Sequence, residues 1–455
     1  MKPILVVPII GPLLEDVKTQ VLAAEKLGLK TELRLDLIKE DISCLSLKPW
    51  IVTCGQFEDK VNLFDSEFID IDYKFFSKIH DKKDKNIIAS YHNFDSTPDD
   101  LEALFNKIKQ EAPGAYLYKI ATYANSTLDA LGMLIFLKKM HAQGERLLGV
   151  CMGPNGSCTR ILSPVFQNPF TFAPIDLHQA SAKGQITVEE LKNIYFFDHL
   201  GPHTKIYALI GDPVDKSRGH IIHNAYFNEV GCNAVYVKLK IEKNEVCEFL
   251  NFAKELSIQG VAVTMPLKEE IIKYVDVQCS EPSINTLVLK NDNYKGYNLD
   301  VIACYELIKE KRSIKDKSIY ILGSGGVGAS LACFFKDKEA IITIFNRDER
   351  RGLKAAKSSS AKFCRYDQFD GCCDVLIQTT SVGMAPNFEA SIIETNLIKP
   401  TSLVIEFISN PKETLFLRGA KERGCDTIDG DLILEKISYL QQKLWKISSH
   451  TCCHC

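Results

Sequence analysis

Eight short apolar runs of β type divide the first part of this chain: Pro3–Ile9, Thr31–Leu37, Trp50–Thr53, Phe68–Asp72, Asn86–Tyr91, Tyr116–Ala121, Leu147–Met152 and Phe170–Ala173. Stretches with helical spacing, such as Asp100–Glu111 and Ser126–Gln143, fall between several of them. Strands that are apolar on both faces need cover on both, and intervening helices supply it for a parallel sheet. Eight such units in about 200 residues suit a small (β/α)8 TIM barrel, whose active groups sit at the C-terminal strand ends. The unit between the third and fourth runs is short.

A chain of 455 residues is too long for one core, so about two to three domains are expected. Turn residues Gly201-Pro202-His203-Thr204 separate a helical region at 187–194 from a new strand, Ile206–Ile210. Strands and helices alternate again beyond it, and a Gly-rich turn at Gly323 divides this part into two lobes. The expected domains are a barrel over 1–200, a substrate lobe over 205–312 joined by a returning helix at 430–450, and a dinucleotide lobe over 313–429.

In the dinucleotide lobe the β-type run Ile319-Tyr320-Ile321-Leu322 enters Gly323-Ser324-Gly325-Gly326-Val327-Gly328 and then a helical stretch, 329–335. A G-x-G-x-x-G between strand and helix is the pyrophosphate cradle of a Rossmann-type fold, with Gly323, Gly325, Gly326 and Gly328 binding the cofactor. The next strand, 340–345, ends in Asn346-Arg347 instead of the acidic residue that would bind a free ribose hydroxyl. Cations there, with Arg350 or Arg351 as a second, favour a 2′-phosphate and hence NADP, whereas Asp348 would repel it.

Composition narrows the function classes. A formal net charge of −3 gives no polyanion-binding surface, so nucleic acid is not an expected partner. Sixteen cysteines scattered through apolar segments read as reduced core residues of a cytoplasmic protein. The terminal Cys452-Cys453-His454-Cys455 lacks the spacing of a closed zinc site, and no metal is expected. The apolar stretch 3–14 is interrupted by Gly11-Pro12 and followed by Glu15 and Asp16, which suits a buried first strand better than a signal peptide. No run is long enough to span a bilayer.

Several polar residues interrupt the barrel strands where packing alone would not place them. Glu32 and Arg34 share one face of the second strand, Asp72 ends the fourth, His92 follows the fifth, and Lys119 lies inside the apolar sixth. A strand lysine is ordinarily a snorkelling surface residue. Within a barrel interior, a desolvated amine can form a Schiff base with a ketone, and a nearby histidine can shuttle protons. The segments Glu-Leu-Arg-Leu-Asp (32–36), Ser-Tyr-His-Asn-Phe (90–94), Tyr-Lys-Ile-Ala (118–121), Cys-Met-Gly (151–153), Thr-Arg-Ile-Leu (159–162) and Ser-Ala-Lys-Gly-Gln-Ile (181–186) resemble, in order, the type I 3-dehydroquinate dehydratases. The resemblance implies an iminium on Lys119, proton transfer by His92, substrate held by Arg160, Ser181 and Gln185, and orientation by Glu32, Arg34 and Asp72. Two positions depart from that family: Gly55 replaces an arginine after the third strand, and Asp72 a glutamate.

The later segments Gly211-Asp212-Pro213-Val214-Asp215-Lys216-Ser217, Val263-Thr264-Met265-Pro266-Leu267-Lys268, Ile284-Asn285-Thr286, Gly296-Tyr297-Asn298-Leu299-Asp300, Thr380-Ser381-Val382-Gly383-Met384 and Asp429-Gly430 resemble the shikimate dehydrogenases over 205–445. The resemblance implies that Lys268 and Asp300 are the central pair, that Ser217, Thr264 and Asn285 hold substrate, and that Gly383 and Met384 lie near the nicotinamide. A lysine held by a carboxylate is a positioned acid able to stabilise a developing alkoxide. Here Gly219, Leu299 and Ile437 stand where the family has polar groups.

Together these resemblances imply a bifunctional enzyme that dehydrates 3-dehydroquinate and reduces the product with NADPH to shikimate. The alternatives are a shikimate or quinate dehydrogenase with a weakened dehydratase half, and a non-catalytic regulator responsive to quinate or shikimate.

Overall fold

The structure is a computed structural model and describes residues 3–56, 63–79, 85–277 and 282–447. The Cys-rich terminus at 452–455 lies outside the described residues. Two compact units are present, one of residues 1–208 with 224–258 and one of 209–223 with 259–455.

The first unit opens with β1 (Leu5–Ile9), α1 (Leu14–Lys26), β2 (Lys30–Arg34), β3 (Ile51–Gly55), β4 (Phe68–Asp72) and β5 (Asn86–His92). It continues through α2 (Leu101–Glu111), β6 (Leu117–Tyr123), α3 (Thr127–Ala142), β7 (Leu147–Met152), α4 (Cys158–Ile161), β8 (Thr171–Phe172) and α5 (Val188–Asn193). The strands form one parallel sheet in the order β7-β6-β5-β4-β3-β2-β1-β8, the neighbour sequence of a (β/α)8 barrel. Val6, Ile51, Phe68, Ile88, Leu117, Leu148 and Phe170 share a buried apolar cluster. Ile51, Phe68 and Leu117 begin their strands, so this cluster plugs the N-terminal half and leaves the C-terminal half for polar side chains.

Helical cover is uneven. Asp100 caps α2, and Ser126 with Asp129 forms a capping box on α3. Helix α3 is apolar nearly all round because it lies against β7 on one side and α7 (Val246–Glu255) on another. Among the described residues no helix follows β2 or β3, and β4 is followed by a 3-10 stretch, Tyr73–Lys78. The seam between β7 and β8 carries no strand ladder. Buried Asn168 stands in for one: its amide nitrogen donates to the Gly149 carbonyl at 2.9 Å and its oxygen accepts from the Gly149 N–H at 3.0 Å.

Strands β9 (Lys205–Gly211), β10 (Ala234–Lys240), β11 (Ile258–Val263), β12 (Asp276–Val277), β13 (Thr286–Lys290) and β14 (Asn293–Tyr297) form a second sheet, ordered β10-β9-β11-β13-β14-β12. Strand β13 runs antiparallel to both of its neighbours. Helix α6 (Gly219–Glu229) follows β9, and α8 (Leu299–Lys311) follows β14.

The third sheet comprises β15 (Ser318–Leu322), β16 (Ile341–Phe345), β17 (Lys362–Cys364), β18 (Val375–Gln378), β19 (Leu403–Glu406) and β20 (Asp426–Ile428). Its order is β17-β16-β15-β18-β19-β20, and every pair is parallel. The chain reverses its direction of travel across the sheet between β15 and β18, the kind of switch point at which open α/β sheets form a crevice. Helices α9 (Gly326–Lys336), α10 (Glu349–Ser359), α11 (Leu415–Glu422) and α12 (Gly430–Leu444) complete the unit. Successive β15 residues join opposite cores, Ile319 and Ile321 with Leu331 and Phe335, Tyr320 and Leu322 with Phe345 and Phe416. Among the described residues no helix is long and apolar enough to cross a membrane.

Two candidate active sites

In the barrel, polar residues from five successive strands converge just above the apolar plug. Lys119 of β6 donates to Asp70 of β4 at 2.7 Å, and both side chains are buried. Lys119 also sits 4.9 Å from the Phe172 ring centroid. Glu32 of β2, fully buried, accepts from Thr53 of β3 at 2.6 Å. Burial raises the Glu32 carboxyl above its ordinary range. Asp70 is held low in spite of its burial, because the Lys119 ammonium donates to it and favours its charge. His92, at the end of β5, stacks on Phe94 with centroids 6.0 Å apart. Desolvation and the Lys119 charge hold its imidazole well below its usual value, so it stands neutral.

Asp72 plays a different part from Asp70. Its carboxylate accepts from the Lys74 N–H at 3.0 Å and so caps the turn after β4. Asp70, which sequence reasoning passed over, is the carboxylate at the lysine. The signal was present: in Phe68-Ile69-Asp70-Ile71-Asp72 the two aspartates share a strand face.

Arg34 donates to Asp36 through two nitrogens, at 2.8 and 2.7 Å. Gly55 adopts φ +61°, and a Cβ there would stand 3.2 Å from the Asp36 Cβ. Arg160, in α4, is only 2% exposed, and its side chain has no ion pair among the described residues. Desolvation lowers its guanidinium to about 10. A buried cation without a counter-charge is a ready receptor for a substrate carboxylate. Ser181 and Gln185 belong to a loop after β8 in which the Gln185 oxygen accepts from the Ser181 N–H at 2.8 Å. The Gly153 N–H, at the end of β7, donates to the Lys183 carbonyl at 2.9 Å and ties that loop to the barrel mouth.

The second unit holds another lysine–carboxylate pair. Lys268, just after β11, donates to Asp300 in the first turn of α8 at 2.6 Å. The other Asp300 oxygen accepts from Asn285 at 2.9 Å, and Asn298 caps α8 through the Asp300 N–H. Thr264 packs against Gly211, where a Cβ would stand 2.4 Å from the threonine methyl. Ser217 accepts from the Gly219 N–H at 3.2 Å, at the start of α6. Gly383, at φ +93°, and Met384 lie on the loop leaving β18, at the C-terminal edge of the third sheet.

The glycine turn after β15 fits a dinucleotide. Gly323 has φ +109°, and a Cβ there would stand 2.7 Å from a Thr380 methyl. A Cβ at Gly328 would come 2.2 Å from the Gly323 carbonyl oxygen, so helix and strand could not pack as they do. Gly325 faces open space, which lets backbone approach a pyrophosphate. Gly326 begins α9, whose free N–H groups point at that space. Asn346 donates to the Asp348 carbonyl at 2.9 Å. The Asp348 carboxylate accepts from the Arg351 N–H at 3.0 Å and thereby caps α10. The acidic residue that argued against a 2′-phosphate is therefore directed to its own helix. Arg347 and Arg351 are exposed, without ion pairs among the described residues.

Comparison with known proteins assigns the two halves separately. The family described as type I 3-dehydroquinase matches residues 57–202, and the shikimate dehydrogenase substrate binding domain matches 209–284. The shikimate biosynthesis protein AroDE of Chlamydia pneumoniae is 31% identical, covering 79% of this chain and 73% of its own. The chain belongs to this bifunctional dehydroquinate dehydratase/shikimate dehydrogenase family. A further member, the bifunctional 3-dehydroquinate dehydratase/shikimate dehydrogenase of Arabidopsis thaliana, is 29% identical over 96% of this chain and 81% of its own. Among solved structures, a shikimate dehydrogenase in complex with NADP+ aligns with TM-score 0.51 and 30% identity, covering 55% of this chain and 92% of that one.

Proposed function

We propose that this chain converts 3-dehydroquinate to 3-dehydroshikimate in its barrel and 3-dehydroshikimate to shikimate at the Lys268–Asp300 site. The buried Lys119–Asp70 pair carries the first assignment, since a lysine inside an apolar barrel has no structural need to be there. Lys119 Nζ attacks the substrate ketone, water leaves, and the iminium acidifies the adjacent C–H. Neutral His92 takes that proton and returns one to the departing hydroxyl, releasing water; hydrolysis of the iminium frees Lys119. Arg160 holds the substrate carboxylate, Ser181 and Gln185 its hydroxyls, and Glu32 and Arg34 orient the ring around His92.

In the second reaction bound NADPH would supply the hydride that the substrate ketone accepts. Lys268 Nζ gives a proton to the oxygen that develops charge, and Asp300 holds the ammonium in place. Ser217, Thr264 and Asn285 orient the substrate. The glycines at 323, 325, 326 and 328 receive the pyrophosphate, Asn346, Arg347 and Arg351 the 2′-phosphate, and Gly383 and Met384 border the nicotinamide. The partners in this reading are small molecules, and the thiol-rich composition supports a cytoplasmic setting.

A coupled assay from 3-dehydroquinate, run with NADPH and then NADH, tests the whole proposal: shikimate should form, and faster with NADPH. Borohydride added with 3-dehydroquinate should trap an adduct on Lys119, and its absence from folded protein would refute the Schiff base. A weaker first half is favoured by Gly55, which has no side chain to supply the cation expected after the third strand. That reading expects a raised KM for 3-dehydroquinate with kcat retained.

A further inference from the structure

Asp300 is the last member of a buried hydrogen-bond chain whose direction can be deduced from one fixed donor. The Leu299 backbone N–H donates to the Asn285 side-chain oxygen at 2.8 Å, and a backbone N–H cannot reverse its role. Asn285 must therefore turn its NH2 group to Asp300, 2.9 Å away. The same Asn285 oxygen lies 2.9 Å from the Thr286 hydroxyl, which must be the donor. With its proton committed, that hydroxyl accepts from the Gln441 NH2 at 3.0 Å. The Gln441 oxygen then faces His223 Nε2 at 3.1 Å and can only accept, so the imidazole carries its proton on Nε2. His223 Nδ1 is left as an acceptor toward the Gln442 NH2, 3.5 Å away. Burial lowers this imidazole to about 4, so it keeps the single proton the chain requires.

Every donor in this series points toward Asp300. His223, Gln441, Thr286, Asn285 and Asp300 are each 4% exposed or less, so no water competes along the way. Aligned hydrogen bonds polarise one another in a low-dielectric interior. Amide groups cannot relay a proton without leaving their stable form, so the chain orients and does not conduct. Met or Leu would fill the space of Gln441 on α12 without polar groups, yet a glutamine with both ends engaged is present.

We infer that Gln441 is a positioning residue for the reduction, holding the Asn285 amide toward Asp300 through Thr286 and taking its own orientation from His223. The inference rests on Lys268 and Asp300 being the dehydrogenase pair. Absence of shikimate oxidation by the unmodified chain would remove that reading, while the variants below test this one.

The test measures NADP+-dependent shikimate oxidation by the full chain carrying Gln441→Met, Thr286→Val or both. Dehydration of 3-dehydroquinate and NADP+ binding in the same preparations report folding. Each single variant should lower kcat about tenfold with the KM for NADP+ within about twofold, the size of one oriented hydrogen bond at a reacting group. Because both act through one chain, the double variant should be no slower than the worse single one. Wild-type kcat in Gln441→Met, or losses that multiply in the double variant, would overturn the inference. Should Gln441→Met not fold, Gln441→Glu takes its place. Its carboxylate accepts from both neighbours and turns the Thr286 hydroxyl away from Asn285, so the same loss is expected, and an unchanged kcat again overturns the proposal.

Discussion

Replacing Asp70 by Asn leaves the Lys119 ammonium buried without its counter-charge, a change that typically lowers stability by about 3–5 kcal/mol. Chemical denaturation of the full chain should show the loss in the barrel's transition, together with loss of dehydratase activity. His92 gives a second expectation at this scale. Its folded-state value lies below the ordinary 6.5, so its contribution to stability is present above that value and is lost as pH falls toward the lower folded one. As a base it should stay competent below pH 6.5, and a titration of its ring by NMR should place the midpoint there. Both residues show how far sequence can go. His92 and Lys119 were recognisable because polar groups on apolar strands need a reason to be there. The choice between Asp70 and Asp72 was not recognisable, because it depends on which carboxylate the turn at 73–78 captures for its N-terminus.

At the scale of elements, β19 ends in Glu406, fully buried, with one oxygen accepting from the Thr414 hydroxyl at 2.5 Å. Thr414 in turn caps α11 by accepting from the Leu417 N–H at 3.1 Å. Burial pushes the Glu406 carboxyl from 4.5 up to about 7. A raised folded value stabilises fully below 4.5, and that contribution is lost as pH rises through about 7. The cofactor lobe should therefore melt lower at pH 8 than at pH 5, and Glu406→Gln should remove this difference in a thermal scan. Strand positions were largely legible: β4 and β7 match their expected limits because polar or turn residues bound them. Strand β8 shrank to Thr171–Phe172, bracketed by Pro169 and Pro174, neither of which can donate to a ladder. The Asp348 question also needed the structure, since capping of α10 depends on where that helix starts.

For the whole molecule, Lys119 and Lys268 fall in different compact units. Lys119→Ala should abolish dehydration and spare shikimate oxidation, and Lys268→Ala should do the reverse. A mixture of the two variants should still form shikimate from 3-dehydroquinate, by way of released intermediate, and failure to do so with each single activity intact would show that the sites depend on one another. The strand order of the first sheet and the parallel third sheet were visible because each part repeats its own strand–helix rhythm. The seam of the barrel was not visible, because a side chain closes it and side-chain substitutes leave no periodic trace.

That seam has a consequence for motion. A ladder opens only when neighbouring strands separate, whereas the link at Gly149 opens when one buried amide, Asn168, changes rotamer. The Gly149 N–H should then exchange with solvent deuterium through a smaller opening, and sooner, than the N–H groups of β5 and β6 that are bonded on both sides. If so, the barrel breathes at a point one residue wide, set by the rotamer of a single buried side chain.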